Sequence, residues 1–364
     1  MTGFGTDNLP YGVFSRPGEA PRVGARLGDT VIDLAPLGAE FRRPALNALM
    51  AMGPAVWETA RMRVRDLAAA GSADTYPLGK VRLHLPFAVG DYVDFYSSLE
   101  HATNMGRMFR PDADPLLPNW RWLPVGYHGR GGTVVVSGTP VRRPWGQSRP
   151  PGADEPEFGP SRRLDVELEL GFVVGVGSLL GEPVPPAAFR DRVFGIVLVN
   201  DWSARDVQAW EYQPLGPFLG KSFATSISAW VTPLDALEPF RVPGPVQEPP
   251  PLPYLRSDEQ WNLDVALELE VNGDVVSRTN ARRLYWSMPQ QLAHLTVNGA
   301  TIRTGDLCAS GTISGPEPGS EGSLLERWGG ERFLEDGDEV VLRGVAGDRV
   351  ALGEVRGTVL PALG

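Results

Sequence analysis

Three acidic side chains alternate with apolar ones in residues 164–170, which read LDVELEL. The two-residue period of a β-strand places Asp165, Glu167 and Glu169 on one face and the apolar residues on the other. Carboxylates spaced about 7 Å apart along a strand repel one another, so this face is either solvated or neutralised by something positive. The alternation alone leaves both interpretations open.

A second stretch, residues 265–271, reads VALELEV and shows the same alternation with Glu268 and Glu270. It runs directly into Asn272-Gly273, the strongest short signal for a β-hairpin. We therefore predict an exposed strand with one solvent-facing side at this position. Only their surroundings can distinguish the two acidic strands.

An apolar strand predicted at residues 193–199 ends in Asn200-Asp201 and precedes a helix predicted near residues 203–212. Ser203 is of a type that caps helix N-termini, and Asp206 three residues later would complete a capping box. Asp201 is therefore expected at the end of a strand, immediately before this helix.

One face of the same helix would carry Arg205, Gln208 and Tyr212, which are spaced i, i+3 and i+7. A guanidinium, an amide and a phenol aimed in one direction form a hydrogen-bonding surface, although exposed helices carry such residues without function. Lys221 follows in GPFLGKS, which lacks one residue of the phosphate-binding G-x-x-x-x-G-K-[ST] spacing. Nucleotide binding is therefore not indicated, and Lys221 needs another role.

A dense polar segment, residues 91–112, contains one of only four histidines, His101. Ser97 or Ser98 can cap a short helix, predicted near residues 98–108, that carries this histidine. An acid, a phenol and a guanidinium surround it in sequence: Asp94, Tyr96 and Arg110. His101 is therefore a candidate catalytic base, although a single histidine is more often a structural hydrogen-bonding group. His128, in the glycine-rich GYHGRGG, is the rival candidate.

The composition is that of an ordinary globular protein: 364 residues, 42% hydrophobic and 21% charged, long enough for a large core and for two domains. A formal charge of −10 disfavours nucleic acid or an anionic membrane as a partner. The single cysteine, Cys308, excludes an intrachain disulfide framework and a Cys-rich zinc module. No apolar run approaches the ~18 residues that span a bilayer, and we expect a cytoplasmic protein.

The chain divides near Pro86. Residues 1–85 predict a small module with short strands and with helices at residues 44–52 and 55–70. From residue 86 to residue 364 the sequence becomes aromatic-rich and glycine-punctuated, with many strand signals. The predicted fold class is mixed and mainly β, with few short helices.

Long segments resemble the fumarylacetoacetate hydrolase family, in order from about Asp91 to the C-terminus and more loosely before it. The segments that carry the resemblance include DYVDFYSSLEHATNMGRMFR, LLPNWRWLPVGYHGR, LDVELEL, VNDWSARDVQAWEYQPLGPFLGKSF, LYWSMPQQLAHLTVNGATIRTGDLCASGTISG and LEDGDEVVLRG. The resemblance implies an SH3-like β-barrel for residues 1–85. It implies a catalytic domain for residues 86–364, built as a mixed β-sandwich or roll with short helices.

In this family the acidic strand holds a divalent cation. By motif position the ligands are Asp94, Glu167, Glu169 and Asp201. Such an all-carboxylate set suits Ca²⁺ or Mg²⁺ and argues against zinc, which favours His and Cys. Arg205 and Lys221 would offset the excess negative charge. Asp165, Glu268 and Glu270 match no family ligand, and we assign them structural roles.

The resemblance also assigns the remaining roles. A histidine–glutamate pair, here His101 and Glu326, deprotonates water, and Glu326 orients the imidazole. The oxyanion donors would be Arg205, Gln208 and Lys221. The substrate pocket is assigned to the residues Tyr96, Arg110, Tyr127, Tyr212 and Thr312, with the substrate carboxylate at Arg110, Tyr96 and Tyr127.

The implied reaction is hydrolysis of a carbon–carbon bond in the 1,3-diketone 4-fumarylacetoacetate, giving fumarate and acetoacetate, the last step of tyrosine and phenylalanine catabolism. A homodimer is implied as well. The alternatives are a related acylpyruvate hydrolase or metal-dependent decarboxylase, and an inert metal-binding or scaffold protein. Relative to larger family members the N-terminal module is shorter, as is the stretch between Glu326 and FLEDGDEV.

Overall fold

The fold is built mainly from β-strands. The computed structural model describes residues 3–71 and 73–364. The strands in this part of the chain are β1 Tyr11–Ser15, β2 Arg22–Leu27, β3 Thr30–Asp33, β4 Thr75–Pro77, β5 Arg82–His84, β6 Tyr92–Phe95, β7 Gly126–Gly129, β8 Val134–Val136, β9 Val141–Arg142, β10 Trp145–Ser148, β11 Glu157–Pro160, β12 Leu164–Asp165, β13 Leu168–Val174, β14 Val193–Asp201, β15 Ser203–Ala204, β16 Thr225–Ile227, β17 Trp230–Pro233, β18 Arg241–Val242, β19 Asn262–Leu263, β20 Val265–Val271, β21 Asp274–Asn280, β22 Leu307–Ala309, β23 Glu339–Ala346 and β24 Val350–Leu360.

The α-helices are few and mostly short. Those in the described residues are α1 Asn47–Met50, α2 Pro54–Ala70, α3 Leu99–Phe109, α4 Phe189–Arg192, α5 Arg205–Glu211, α6 Leu219–Ser222, α7 Leu234–Leu237, α8 Met288–Thr296 and α9 Leu324–Arg327. None of these helices combines the length and apolar character needed to cross a bilayer. The predicted fold class, mixed and mainly β with short helices, is confirmed.

A 13-stranded sheet forms the centre of the molecule, with a path in the order β4-β3-β2-β1-β17-β14-β13-β22-β6-β7. Strand β1 joins the N-terminal strands to the rest through the antiparallel pair Tyr11↔Val231 with β17. A second sheet of five strands has the order β21-β20-β23-β24-β9. The predicted boundary near Pro86 lies between β5 and β6. That boundary and the SH3-like barrel stay predictions.

Strand β14 lies at the middle of the layers, and all nine of its residues are buried. Its side chains alternate between two cores, as the two-residue period of a strand requires. Ile196 and Leu198 pack in the core shared with the five-stranded sheet. Val197 and Val199 pack in the core shared with the N-terminal strands. A strand buried on both faces reads as a continuous apolar run, which is why GIVLV carries so clear a signal.

The second acidic strand, β20, forms the predicted hairpin. Val271 pairs with Asp274 across a two-residue loop, in which Asn272 and Gly273 have φ values of 53° and 88°. Positive φ at both loop positions is the requirement of a type I′ turn. Glu268 is partly exposed and lies 2.8 Å from Arg278 on β21. The prediction of a hairpin strand with one solvent-facing side is confirmed.

Two predicted helices, α2 and α3, begin and end within about two residues of their expected positions. The helix predicted at residues 44–52 shrinks to α1. The predicted cap at Ser203 is wrong, because Ser203 pairs with Asp165 in the β12–β15 ladder and its hydroxyl donates to the carbonyl of Asp201 at 3.0 Å. Helix α5 begins instead at Arg205, and no side chain caps it.

Candidate active site

Four carboxylates from three strands meet at one place in the central sheet. Asp94 lies on β6, Glu169 on β13 and Asp201 at the end of β14, and Glu167 immediately precedes β13. One oxygen from each lies within 4.8 Å of the others, and all four residues are buried. The apolar residues that alternate with the glutamates, Leu168 among them, face the opposite core. The predicted cluster therefore forms, and the acidic face of this strand is not solvated.

A buried lysine already balances part of this charge. The Nζ atom of Lys221 lies 2.6 Å from Oε2 of Glu167 and 2.8 Å from Oδ2 of Asp201. The hydroxyl of Tyr127 also donates to Oδ2 of Asp201 at 2.8 Å. Burial opposes the charge of Lys221, but Asp201 and Glu167 outweigh burial and raise the pKa of its ammonium. Lys221 is therefore a counter-ion in a carboxylate cluster.

The charge of Lys221 balances only part of the four carboxylates, and two of their oxygens form no hydrogen bond within the described residues. Among the described residues, Oδ1 of Asp94 and Oε1 of Glu169 are buried with no hydrogen-bond partner. Burial and then the neighbouring Asp201 raise the pKa of Asp94, and burial and then Asp94 raise the pKa of Glu169. Buried carboxylates are normally paired or bound to a metal. An all-carboxylate donor set of this kind suits a divalent cation.

Arg205, at the start of α5, adds a second buried cation. Its Nε lies 2.7 Å from Oδ2 of Asp165, and its Nη1 lies 2.8 Å from Oε1 of Glu167. Nη1 also donates to Oε1 of Gln208 at 3.1 Å. Burial alone would lower the pKa of this guanidinium, but Asp165 and Glu167 raise it. All three acids of LDVELEL thus contribute to one buried network, and Asp165 is the member that binds the arginine rather than joining the carboxylate cluster.

His101 lies on α3, which Ser98 caps by accepting a hydrogen bond from the His101 backbone N–H at 3.3 Å. The Nδ1 atom of His101 lies 2.6 Å from Oε2 of Glu326, on α9. Burial alone would raise the pKa of Glu326, but the adjacent His101 and hydrogen bonds to the carboxylate lower it to about 2. Glu326 is therefore ionised beside the imidazole.

Three residues that sequence reasoning did not identify hold Glu326 in place. Asn104 donates to its Oε1 at 2.9 Å, Ser314 to the same oxygen at 3.0 Å, and Ser323 to Oε2 at 2.7 Å. Asn104 follows His101 by three residues on α3, so the i, i+3 spacing could have indicated it. Ser323 caps α9 three residues before Glu326, so the Ser-x-x-Glu spacing of a capping box could have indicated it. Ser314 comes from an earlier loop and carries no local signal.

A cavity of about 380 Å³ brings most of the predicted site residues together. Those that line it are Asp94, Tyr96, His101, Arg110, Tyr127, Glu167, Arg205, Gln208, Tyr212, Lys221 and Thr312. Glu169, Asp201 and Glu326 lie behind this wall, in contact with residues that form it. The ring of Tyr96 packs edge-on against His101 with centroids 5.2 Å apart. The rest of the lining is largely apolar and includes Trp120 from the loop after α3.

His128, the rival histidine, lies outside this cavity. It alternates with Tyr127 on β7, so its side chain points away from the one that faces the cavity, and it is exposed. It borders a small separate cavity of about 100 Å³. Of the two candidate histidines, His101 lines the large cavity and His128 does not.

Comparison with known proteins agrees with this geometry. The family model described as fumarylacetoacetate (FAA) hydrolase C-terminal matches residues 92–360, and the model described as fumarylacetoacetase N-terminal matches residues 7–86. The chain is 47% identical to fumarylacetoacetase of Homo sapiens, with 99% of this chain and 97% of that protein covered. It is 44% identical to fumarylacetoacetase of Arabidopsis thaliana, with 99% and 96% covered.

Two solved structures share the fold at lower identity. Fumarylacetoacetate hydrolase from the psychrophile Exiguobacterium antarcticum superposes with a TM-score of 0.65 at 18% identity, covering 97% of this chain and 99% of that one. Maleylpyruvate hydrolase from Sphingobium sp. SYK-6, in complex with manganese(II) ion and pyruvate, has a TM-score of 0.59 at 19% identity, covering 98% and 100%. With family models that match nearly the whole chain and full-length relatives above 40% identity, the chain belongs to the fumarylacetoacetate hydrolase family.

Proposed function

We propose that this protein is an enzyme that hydrolyses the carbon–carbon bond of 4-fumarylacetoacetate to give fumarate and acetoacetate. The observation that carries the proposal is the contact of 2.6 Å between Nδ1 of His101 and Glu326, because His101 lines a cavity whose wall also includes Asp94 and Glu167 of the carboxylate cluster. Full-length relatives at 41–47% identity are named fumarylacetoacetase, which supports the same substrate. Metal-assisted hydrolysis of a diketone requires a general base close to a cation site.

The residues that would hold the cation are Asp94, Glu167, Glu169 and Asp201, and the ion is Ca²⁺ or Mg²⁺. The unpartnered oxygens of Asp94 and Glu169 support this assignment. When bound, the cation supplies Lewis-acid polarisation of the diketone oxygens. Lys221 and Arg205 would keep Glu167 ionised, because their charges outweigh its burial and lower the pKa of that carboxyl.

His101 would act as general base. The ionised Glu326 can only accept a hydrogen bond, so the imidazole proton belongs on Nδ1 and Nε2 is left free. Nε2 would take a proton from the attacking water as the oxygen adds to the ketone carbon. Glu326 orients the ring and stabilises the imidazolium that results.

The tetrahedral intermediate carries an oxyanion, and three neighbouring donors have N–H groups to offer it. Nη2 of Arg205 has no partner among the described residues, although it is buried. Gln208 accepts from Arg205 through Oε1, and its amide N–H₂ donates to none of the residues that the structure describes. Lys221 uses two of three ammonium hydrogens on carboxylates. As the carbon–carbon bond breaks, its electron pair leaves with the acetoacetate fragment, which then takes up a proton.

The remaining cavity residues would bind the substrate. Arg110, at the end of α3, donates from Nη2 to the carbonyl of Pro115 at 2.7 Å, and its buried Nε has no partner in the part of the chain that the structure describes. A guanidinium held in this way is suited to the substrate carboxylate, with Tyr96 beside it. Tyr127 would contribute less directly, since its hydroxyl is hydrogen-bonded to a carboxylate of the cluster. Tyr212 and Thr312 complete the pocket.

We also propose that two copies of the chain form a homodimer. Large apolar side chains are exposed beside the cavity mouth, notably Leu215 at 95% and Phe218 at 64% of their full exposure. Exposed apolar groups in this concentration mark interaction surfaces. Light scattering on the purified protein would give the mass directly, and a 39.4 kDa particle would contradict the dimer.

The first experiment is to follow loss of the diketone absorbance of fumarylacetoacetate on adding pure protein. It is run beside a simple acylpyruvate, with and without a chelator. Chelator-sensitive loss of fumarylacetoacetate, with fumarate and acetoacetate as products, is the expected result. Turnover of the acylpyruvate alone would assign a sister activity, and no turnover of either with added Mg²⁺ or Ca²⁺ would overturn the proposal.

A further inference from the structure

We infer that Asp165 is a positioning residue, which fixes the oxyanion donor Arg205 relative to α9, the helix that carries Glu326. The inference rests on the proposed function, because it concerns the same reaction. Asp165 is fully buried, yet it contacts neither the cavity nor the carboxylate cluster. Its importance lies in what its two oxygens bind.

Asp165 binds the arginine through one oxygen and α9 through both. Oδ2 lies 2.7 Å from Nε of Arg205. Oδ1 accepts from the backbone N–H of Leu324 at 2.8 Å, and Oδ2 accepts from that of Leu325 at 3.3 Å. These are the first two residues of α9, and Glu326 is the third.

This arrangement connects segments that are far apart in sequence. Asp165, at the end of β12, lies two residues before Glu167, and Glu167 itself forms a backbone bridge with Ser323, the cap of α9. The carboxylate therefore connects the cation site, the oxyanion donor and the orienting glutamate. Displacement of a catalytic group by about 1 Å can lower turnover on the order of 10²-fold, so such a connection matters for the rate.

The contact also determines how Arg205 presents itself. With Nε bound to Asp165 and Nη1 to Glu167, the plane of the guanidinium is fixed, and Nη2 has no partner within residues 3–71 and 73–364. A guanidinium that lost the Nε contact could rotate about its side-chain torsions. Asp165 thereby holds Arg205 in the orientation in which its Nη2 can donate a hydrogen bond to the oxyanion.

The chain contains a matched control for the experiment. In the N-terminal part, Oδ2 of Asp33 lies 2.7 Å from Nε of Arg22, and its Oδ1 accepts from the backbone N–H of Ala35 at 3.0 Å. Asp33 is also buried, and it lies outside the cavity. Asp33 resembles Asp165 in binding an arginine Nε through one oxygen and a backbone N–H through the other, and it has no link to the site. Asp33→Asn therefore reports the structural cost of losing such a carboxylate.

The experiment compares Asp165→Asn with Asp33→Asn by steady-state kinetics and denaturant unfolding. For Asp165→Asn we expect kcat to fall on the order of 10²-fold with KM within about threefold, because the donor acts in the transition state. For Asp33→Asn we expect a comparable shift in the unfolding midpoint with kcat unchanged. Equal kcat values for the two variants would overturn the inference.

A double-mutant cycle gives a readout that a merely structural role would not produce. If Asp165 acts partly through Glu326, Asp165→Asn should reduce kcat less in a Glu326→Gln background than in the unmodified protein. Strictly additive losses would contradict the inference. If Asp165→Asn does not fold, Asp165→Glu is the substitute, because it keeps the charge and alters the spacing. An unchanged kcat in Asp165→Glu would also contradict the inference. These outcomes are separate from the proposed function, which fails only if the unmodified protein lacks the activity.

Discussion

Oε2 of Glu326 lies 2.6 Å from Nδ1 of His101, although 225 residues separate the two in the chain. Both side chains are almost completely buried, with 1% and 3% of their surface exposed. A short contact between a carboxylate and an imidazole in such a place fixes the ring orientation and its tautomer. The pair is the feature on which the proposed proton transfer depends.

Replacing His101 by Ala should reduce kcat on the order of 10²-fold or more, because the water would lose its base. The matched control is His294→Ala, since Nδ1 of His294 also has a polar partner, the hydroxyl of Tyr254 at 3.0 Å, but lies outside the cavity. Kinetics with fumarylacetoacetate and a simple acylpyruvate would be measured for both variants. Unchanged turnover in His101→Ala would refute the hydrolase mechanism.

The Glu326 carboxyl should make stability depend on pH. Because its folded pKa of about 2 lies below its ordinary value of 4.5, the ionised group stabilises the fold above pH 4.5, and this contribution is lost as the pH falls toward 2. Glu326→Gln should lower the free energy of unfolding near pH 6 by on the order of 3 kcal/mol.

The measurement is denaturant unfolding of the unmodified protein and of Glu326→Gln between pH 6 and pH 3. The difference in the free energy of unfolding between the unmodified protein and Glu326→Gln should become smaller as the pH falls. Glu268→Gln, at a partly exposed ion pair with Arg278, is the control and should change stability by less than about 1 kcal/mol throughout. If Glu326→Gln lowered the free energy of unfolding by the same amount at every pH, the lowered pKa of Glu326 would be contradicted.

The two acidic strands should respond differently to loss of one carboxylate. Glu167→Gln or Asp201→Asn should abolish activity and weaken the binding of Mg²⁺ and Ca²⁺, because each removes a proposed ligand. Glu268→Gln should leave both properties unchanged. Titration calorimetry measures the affinity for each cation, and the kinetic assay measures activity. Equal effects of substitutions at the two strands would contradict the proposal that only the first binds a cation.

Arg110→Lys should raise KM about tenfold or more with little change in kcat, because a lysine cannot bind a carboxylate through two parallel hydrogen bonds. Arg107→Lys, one turn earlier on α3 and exposed, is the control and should change neither constant. A diketone substrate without the terminal carboxylate should be insensitive to Arg110→Lys. A loss of kcat at unchanged KM would place Arg110 in the chemistry instead of in binding.

The sequence predicted the elements whose signal is local. The apolar run of β14, the Asn272-Gly273 hairpin and the Ser98 cap of α3 each depend on residues within one turn or strand. The Ser203 cap failed because a tertiary contact, the ladder with Asp165, replaced a local preference.

The site was predictable only in part. Periodicity placed Glu167 and Glu169 on one strand face, but the same periodicity occurs at Glu268, and only the surrounding fold buries one strand and exposes the other. The partnership of His101 with Glu326 came from family resemblance, because no spacing rule joins residues from such distant segments. The contacts of Asp165 with α9 carry no sequence signal, since backbone N–H groups are the donors.

The pairing of β1 with β17 bears on any attempt to express the larger part of the chain alone. Tyr11 and Gly12 are hydrogen-bonded to a strand two positions from the acidic β13, and a Cβ on Gly12 would come within 2.6 Å of Trp230. Deleting residues 1–86 would leave β17 as an unprotected edge and uncover an apolar sheet face that includes Val231. Unpaired edges of this kind template intermolecular β-pairing, so the truncated chain should aggregate instead of yielding a smaller active enzyme.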